Sequence, residues 1–88
     1  MRLRFERAFV KDLQRLPGQA REEVKRVLAE LREAQQLRMV GSCKKLKGYS
    51  NYYRIRIGDY RLGLKDLGDG EIALLRILHR REIYRRFP

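Results

Sequence analysis

Two stretches of this 88-residue chain gather side chains that can handle a phosphate. "YRIRIGDYRL" (53–62) sets Arg54, Arg56 and Arg61 around a Gly-Asp turn. "RILHRREIYRRFP" (76–88) holds five arginines, the chain's one histidine and a tyrosine. Guanidinium forks match phosphate oxygens bidentately, and the phenol and imidazole can move protons. Together they suffice to cleave RNA without a metal. The RNA's own 2′-OH attacks the adjacent phosphate, so a protein need only position it, stabilise the added negative charge and transfer protons.

Other chemistries find little material. One histidine and one cysteine make no metal-ligand cluster. "GDG" at 68–70 lacks the lysine of a phosphate loop, and no carboxylate pair is placed for glycosidase chemistry. The 22 Lys+Arg against 11 Asp+Glu leave a formal charge of +11, which argues for a polyanionic partner. A hydrophobic content of 43% fits one modest globular core, so residues 1–88 read as a single domain. No run reaches the length of a membrane span and the N-terminus lacks the apolar core of a signal peptide. With Cys43 as the single cysteine, the expectation is a cytoplasmic protein with no disulfide, no cofactor and no membrane association.

The elements that must hold these residues follow from periodicity. "RLRFE" (2–6) alternates as a short strand. Phe9, Leu13 and Leu16 fall at helical spacing before Pro17-Gly18, and Val24, Val27, Leu28 and Leu31 mark a second helix running to about Gln36. From Asn51 the period becomes two. Gly58-Asp59 predicts a type II′ hairpin that pairs Ile57 with Tyr60, Arg56 with Arg61, Arg54 with Gly63 and Tyr52 with Lys65. A four-residue loop at 67–70 and a strand "EIALLRIL" complete the pattern. That register sets Leu64, Leu62 and Tyr60 against Ala73, Leu75 and Ile77, and Arg76 across from Arg61. The order β-α-α-β-β-β predicts an α+β domain, a helical hairpin packed on one face of a small antiparallel-type sheet.

Arg54, Arg56, Arg61 and Arg76 then share the other face, with Lys65 at its edge and Arg80 just beyond. Like charges directly opposite on a sheet repel, and the acidic residues of this half lie at turns or ends. A bound phosphate explains such a face better than solvation does.

The frame "KKLKGYSNYYRIRIGDYRLGL…ALLRILHRREIYRRF" resembles the RelE/ParE toxin superfamily of bacterial type II toxin–antitoxin systems, and within it the RelE-like branch. Its most specific parts are "KLKG", "YRIRIGDYRL" and "HRREIYR", and the likeness spans nearly the whole chain. The resemblance implies a ribosome-dependent mRNA endonuclease that cuts in the A site. It also implies a cognate antitoxin that holds the toxin inactive in a hetero-oligomer. By position, Arg54 and Arg56 fall where RelE-like members have two functional lysines. Arg61 matches the arginine on the scissile phosphate, Arg80 a second arginine, and Tyr84 the C-terminal catalytic tyrosine. Guanidinium stays protonated, so the general base is left open at Arg54 and Arg56, and the Arg80–Tyr84 interval is short for the family.

His79 is a candidate proton carrier, against the plainer reading of a capped residue after an apolar strand. Tyr52 is a candidate base stacker, against a packing role. Lys44, Lys45, Lys47, Lys65, Arg76 and Arg81 read as RNA-backbone contacts. ParE-like members, which resemble the same scaffold, poison DNA gyrase, so a gyrase inhibitor is the alternative activity. A nucleic-acid-binding module without catalysis is the third reading.

Overall fold

A computed structural model describes all 88 residues. A five-stranded sheet forms its centre: β1 (Arg2–Phe5), β2 (Cys43–Lys45), β3 (Tyr52–Ile57), β4 (Tyr60–Gly68) and β5 (Glu71–His79). The spatial order is β1-β5-β4-β3-β2. β1 runs parallel to β5 and the other pairs are antiparallel. Helices α1 (Arg7–Arg15) and α2 (Gly18–Glu33) follow β1. Pro17 stands immediately before α2, where its missing N–H costs no helical bond. Phe9, Val24, Leu28 and Leu31 from the hairpin pack with Ile55, Ile57, Leu62, Leu64, Ile72, Leu74 and Ile77 in the main core. The α+β class and the helical hairpin on one sheet face are as expected.

Two elements add to that frame. β2 is three residues long and carries two lysines, too short to show alternation. α3 (Arg80–Arg86) leaves β5 directly and returns across the second face of the sheet. Its Ile83 and the following Phe87, one helical turn apart, pack with Leu78 in a smaller cluster that Leu46, Tyr52 and Leu75 border. Gly63 makes this possible. A Cβ there would meet the Phe87 ring at 2.7 Å, so the glycine in mid-strand is the seat of the C-terminal segment.

The β3–β4 register holds at every expected pair, Arg56 opposite Arg61 included. The β4–β5 register does not. Gly68 pairs with Glu71, so the loop is the two residues Asp69-Gly70, both at positive φ. That is the type I′ preference of Asp-Gly and not a four-residue loop. Further along, Leu64 pairs with Leu74 but Gly63 with Arg76, leaving Leu75 as a bulge. Strict alternation from Ile72 and Leu74 would carry Arg76 into the core; the extra residue puts Ile77 there instead. The expected apolar set Ala73, Leu75 and Ile77 is therefore corrected to Ile72, Leu74 and Ile77. Arg76 lies opposite Gly63 and not Arg61.

Arg76 turns to α1. Its Nε and Nη2 donate to the two carboxylate oxygens of Asp12 at 2.7 and 2.9 Å. Asp12 Oδ2 also accepts the backbone N–H of Ile77 at 3.1 Å. β1 covers β5 only as far as Leu74, and Asp12 takes up an N–H that no strand reaches. No helix is long and apolar enough to cross a membrane.

Candidate functional site

The sheet face opposite the helical hairpin bears a cleft of about 250 Å³ lined by Ser42, Lys44, Arg54, Arg56, Arg61 and Tyr84. Three adjacent strands and α3 supply these groups. Pairing places Lys44 opposite Arg54 and Arg56 opposite Arg61, two like-charged cross-strand pairs side by side. None of the four has a carboxylate within ion-pair distance; the three ion pairs of the fold lie at Glu6, Glu22 and Asp12. The charge of the cleft is thus left for an anion from outside.

Local structure orients the arginines to different degrees. Arg61 Nη1 donates to the carbonyls of Gly58 and Tyr60 at 2.9 and 2.8 Å, fixing the guanidinium at the mouth of the β3–β4 hairpin with its other donors free. The Ser42 hydroxyl accepts the Arg56 N–H at 3.1 Å and donates to the Arg56 carbonyl at 3.0 Å. This extends the β2–β3 pairing by one residue and sets the backbone from which Arg56 projects. The Arg54 guanidinium carbon stands 4.9 Å from the Tyr84 ring centroid, a cation–π contact. Tyr84 is 67% exposed, so its hydroxyl is open to a ligand. α3 is anchored where it begins, by the Arg80 N–H donating to the Asp59 carbonyl at 2.8 Å.

Of the expected set, Arg54, Arg56, Arg61, Tyr84 and Lys44 come together in this cleft. Arg80 is exposed at the start of α3, one turn before Tyr84 and hence on the same helical face, but it does not line the cleft. Arg81 is exposed on another face of α3. His79 lies elsewhere. Its Nδ1 accepts the Arg81 N–H at 3.2 Å as the N-cap of α3, and its ring meets Tyr60 edge-on at 5.6 Å. The capping alternative describes its position. Arg76 is removed from the cationic face by Asp12, whose hydrogen bond raises the guanidinium's pKa.

Tyr52 is packed, not open. Tyr49 stacks on it at 6.2 Å, Phe87 lies 5.9 Å away and Lys65 Nζ sits 5.1 Å from its ring centroid. Lys45 and Lys47 line a separate groove at the end of the β2–β3 ribbon. Burial pushes the Cys43 thiol up to about 11, so it stays protonated and unreactive near neutrality. No three His, Cys, Asp or Glu side chains gather into a group that could hold a metal. Sequence reading missed Ser42 and Asp12. Asp12 had a signal: with Phe9, Leu13 and Leu16 it falls at i, i+3, i+4 and i+7, an acid on the core-facing stripe that requires a buried partner.

Comparison with known proteins places the chain by family and fold. The profile of the ParE toxin of the type II toxin–antitoxin system parDE matches residues 3–84. Toxin RelE3 of Methanocaldococcus jannaschii is 44% identical over 89 residues, covering 100% of both chains. A chain in the crystal structure of the RelB-RelE antitoxin–toxin complex from Methanococcus jannaschii superposes with a TM-score of 0.80 at 42% identity. That match covers 96% of this chain and 98% of the other. A chain of the archaeal RelE-RelB complex from Pyrococcus horikoshii OT3 gives 0.74 at 28% identity, with 90% and 93% covered.

Proposed function

This chain belongs to the RelE/ParE toxin superfamily, as a type II toxin of RelE type, and we propose that it is a ribosome-dependent endoribonuclease that cuts mRNA in the A site. The observation that carries the reading is the cleft of Lys44, Arg54, Arg56 and Arg61 beside the Tyr84 ring, with no carboxylate among its lining residues. Three arginines and a lysine around a volume of this size suit one phosphodiester and its transition state.

In the proposed reaction the 2′-oxygen bonds to phosphorus while the bond from phosphorus to the 5′-oxygen breaks. One proton leaves the 2′-OH and another reaches the 5′-oxygen, giving a 2′,3′-cyclic phosphate and a 5′-hydroxyl. Arg61, held against two carbonyls, stabilises the charge on the non-bridging oxygens, and Arg56 and Arg54 share it. Guanidinium does not give up its proton, so proton transfer falls to the other lining groups. Tyr84, exposed and beside Arg54, is the proposed acid toward the leaving oxygen; Lys44, an amine between the arginines and the ribbon edge, is the proposed base. Arg80, and Arg81 beyond it, contact ribosomal or messenger backbone. His79 acts by holding α3, and with it Tyr84.

A cognate antitoxin is the second proposed partner, since the RelE relatives from Methanococcus jannaschii and Pyrococcus horikoshii were crystallised with RelB. Purified protein, either treated with EDTA and then desalted or left untreated, is added to programmed ribosomes and the mRNA ends are mapped by primer extension. Cleavage at the A-site codon in both conditions is expected. The match to the ParE profile favours a second reading, inhibition of DNA gyrase on the same scaffold. Intact A-site mRNA together with blocked supercoiling would establish that reading in place of the first.

A further inference from the structure

Between Glu33 and Asp59 the chain carries no acidic residue, while Arg38, Lys44, Lys45, Lys47, Arg54 and Arg56 all fall in that interval. The catalytic cleft uses Lys44, Arg54 and Arg56. The next residue, Lys45, lines a neighbouring groove of about 380 Å³ with Leu46, Lys47, Gly48, Tyr49 and Ser50. One ribbon therefore connects two cationic cavities. An aromatic stands in the second: Tyr49 is 52% exposed, although its ring stacks on Tyr52 with planes only 28° apart.

That support is itself packed on other side chains. Tyr52 is fixed by Phe87 on one side and by the Lys65 ammonium near its ring. Tyr52, Arg54 and Arg56 alternate along the same face of β3, about 6.8 Å apart at each step. From the cleft, the face thus leads through Arg54 and Tyr52 to Tyr49. A ring half-exposed on a fixed aromatic base, flanked by lysines and far from any carboxylate in sequence, has the makings of a nucleobase platform.

We infer that Tyr49 is a stacking platform for a base of the single-stranded RNA whose phosphate occupies the Arg54–Arg61 cleft, with Lys47 on the adjoining backbone. This deepens the ribonuclease reading and rests on it for the identity of the ligand. Stacking tolerates any base, so the platform fixes the path of the strand without choosing its sequence. An apolar protein segment could also cover a tyrosine, but six cations without an intervening acid match a polyanion better.

The chain contains no tryptophan, so Tyr49→Trp creates a single reporter on the platform. A hexaribonucleotide at low salt is expected to quench its fluorescence. Tyr49→Ala should weaken binding of the same oligonucleotide about tenfold, within the range for one lost base–aromatic stack, and leave the salt slope unchanged. Lys47→Ala should instead flatten that slope, and Tyr49→Phe should bind like the parent. An unquenched tryptophan up to millimolar RNA, or parental affinity in Tyr49→Ala, overturns the proposal. So does a loss confined to antitoxin binding, which would assign the surface to a protein partner. Parental A-site cleavage by Tyr49→Ala together with an unquenched Tyr49→Trp would overturn the platform and keep the nuclease; a quenched Tyr49→Trp in a protein that does not cleave would do the reverse.

Discussion

Arg61 differs from the other cations of the cleft in how it is held. Two backbone carbonyls of its own hairpin orient the guanidinium through Nη1, whereas no such side-chain contact holds Arg56. A donor fixed before the substrate arrives needs no reorganisation as charge develops, which is where electrostatic catalysis is largest. Arg61→Ala should therefore cost about 2–4 kcal/mol of transition-state stabilisation, or about 10² to 10³ in single-turnover rate on programmed ribosomes. Folding should be little affected, because the variant also removes one of two like charges paired across the hairpin. Arg61→Lys restores charge without the planar fork and should recover part of the rate. Equal cleavage by Arg61→Ala and the parent would take Arg61 out of the site.

At the scale of elements, Asp12 joins α1 to the open edge of β5. Its side chain is 4% exposed, against 23% for Arg76. Removing one member of such a pair leaves an uncompensated charge, here with an unpaired Ile77 N–H beside it. Asp12→Ala should lower the unfolding free energy by about 3 kcal/mol in urea melts. Asp12→Asn, which can still accept from Ile77, should lose less; a melt for Asp12→Ala that overlays the parent would show the bridge to be idle. This bridge also marks the limit of what was legible in advance. The helical hairpin was readable because Val24, Leu28 and Leu31 repeat at helical spacing. The β3–β4 register was readable because Gly58-Asp59 admits one turn type. The β5 register was not, because a bulge leaves no periodic trace and alternation alone put Leu75 in the core. α3 was hidden by its composition: five of residues 80–86 are charged arginines or glutamate, and only the Ile83–Phe87 step faces the sheet. The cleft followed the same division. Arg54, Arg56 and Arg61 came from a hairpin whose pairing is fixed locally. Arg76 was misplaced because its partner, Asp12, belongs to an element that periodicity does not bring to β5, whereas the plainer reading of His79 as a capped residue is the one its contact with the Arg81 N–H fits.

At the scale of the whole molecule, 22 basic against 11 acidic residues leave a net charge of +11, and only three ion pairs form, two of them exposed. The cationic residues between Glu33 and Asp59 concentrate that charge along the ribbon that carries the cleft. A face this self-repulsive attracts any anionic chain, so a resting toxin requires a cover. The proposed antitoxin need only lay apolar side chains on the domain and bring carboxylates toward Arg61. The two contributions separate kinetically. Charge acts at a distance and is screened over about 10 Å at 0.1 M salt, so it governs the encounter. Burial of apolar surface acts only after contact, so it governs escape. In stopped-flow mixing with the cognate antitoxin from about 50 to 500 mM salt, the association rate should fall steeply while dissociation changes much less. Lys44→Ala combined with Arg56→Ala should flatten the association slope, because both charges lie at the cleft and neither is neutralised within the fold. An association rate indifferent to ionic strength would show that this face does not steer the antitoxin, and would leave RNA as the sole reason for its charge.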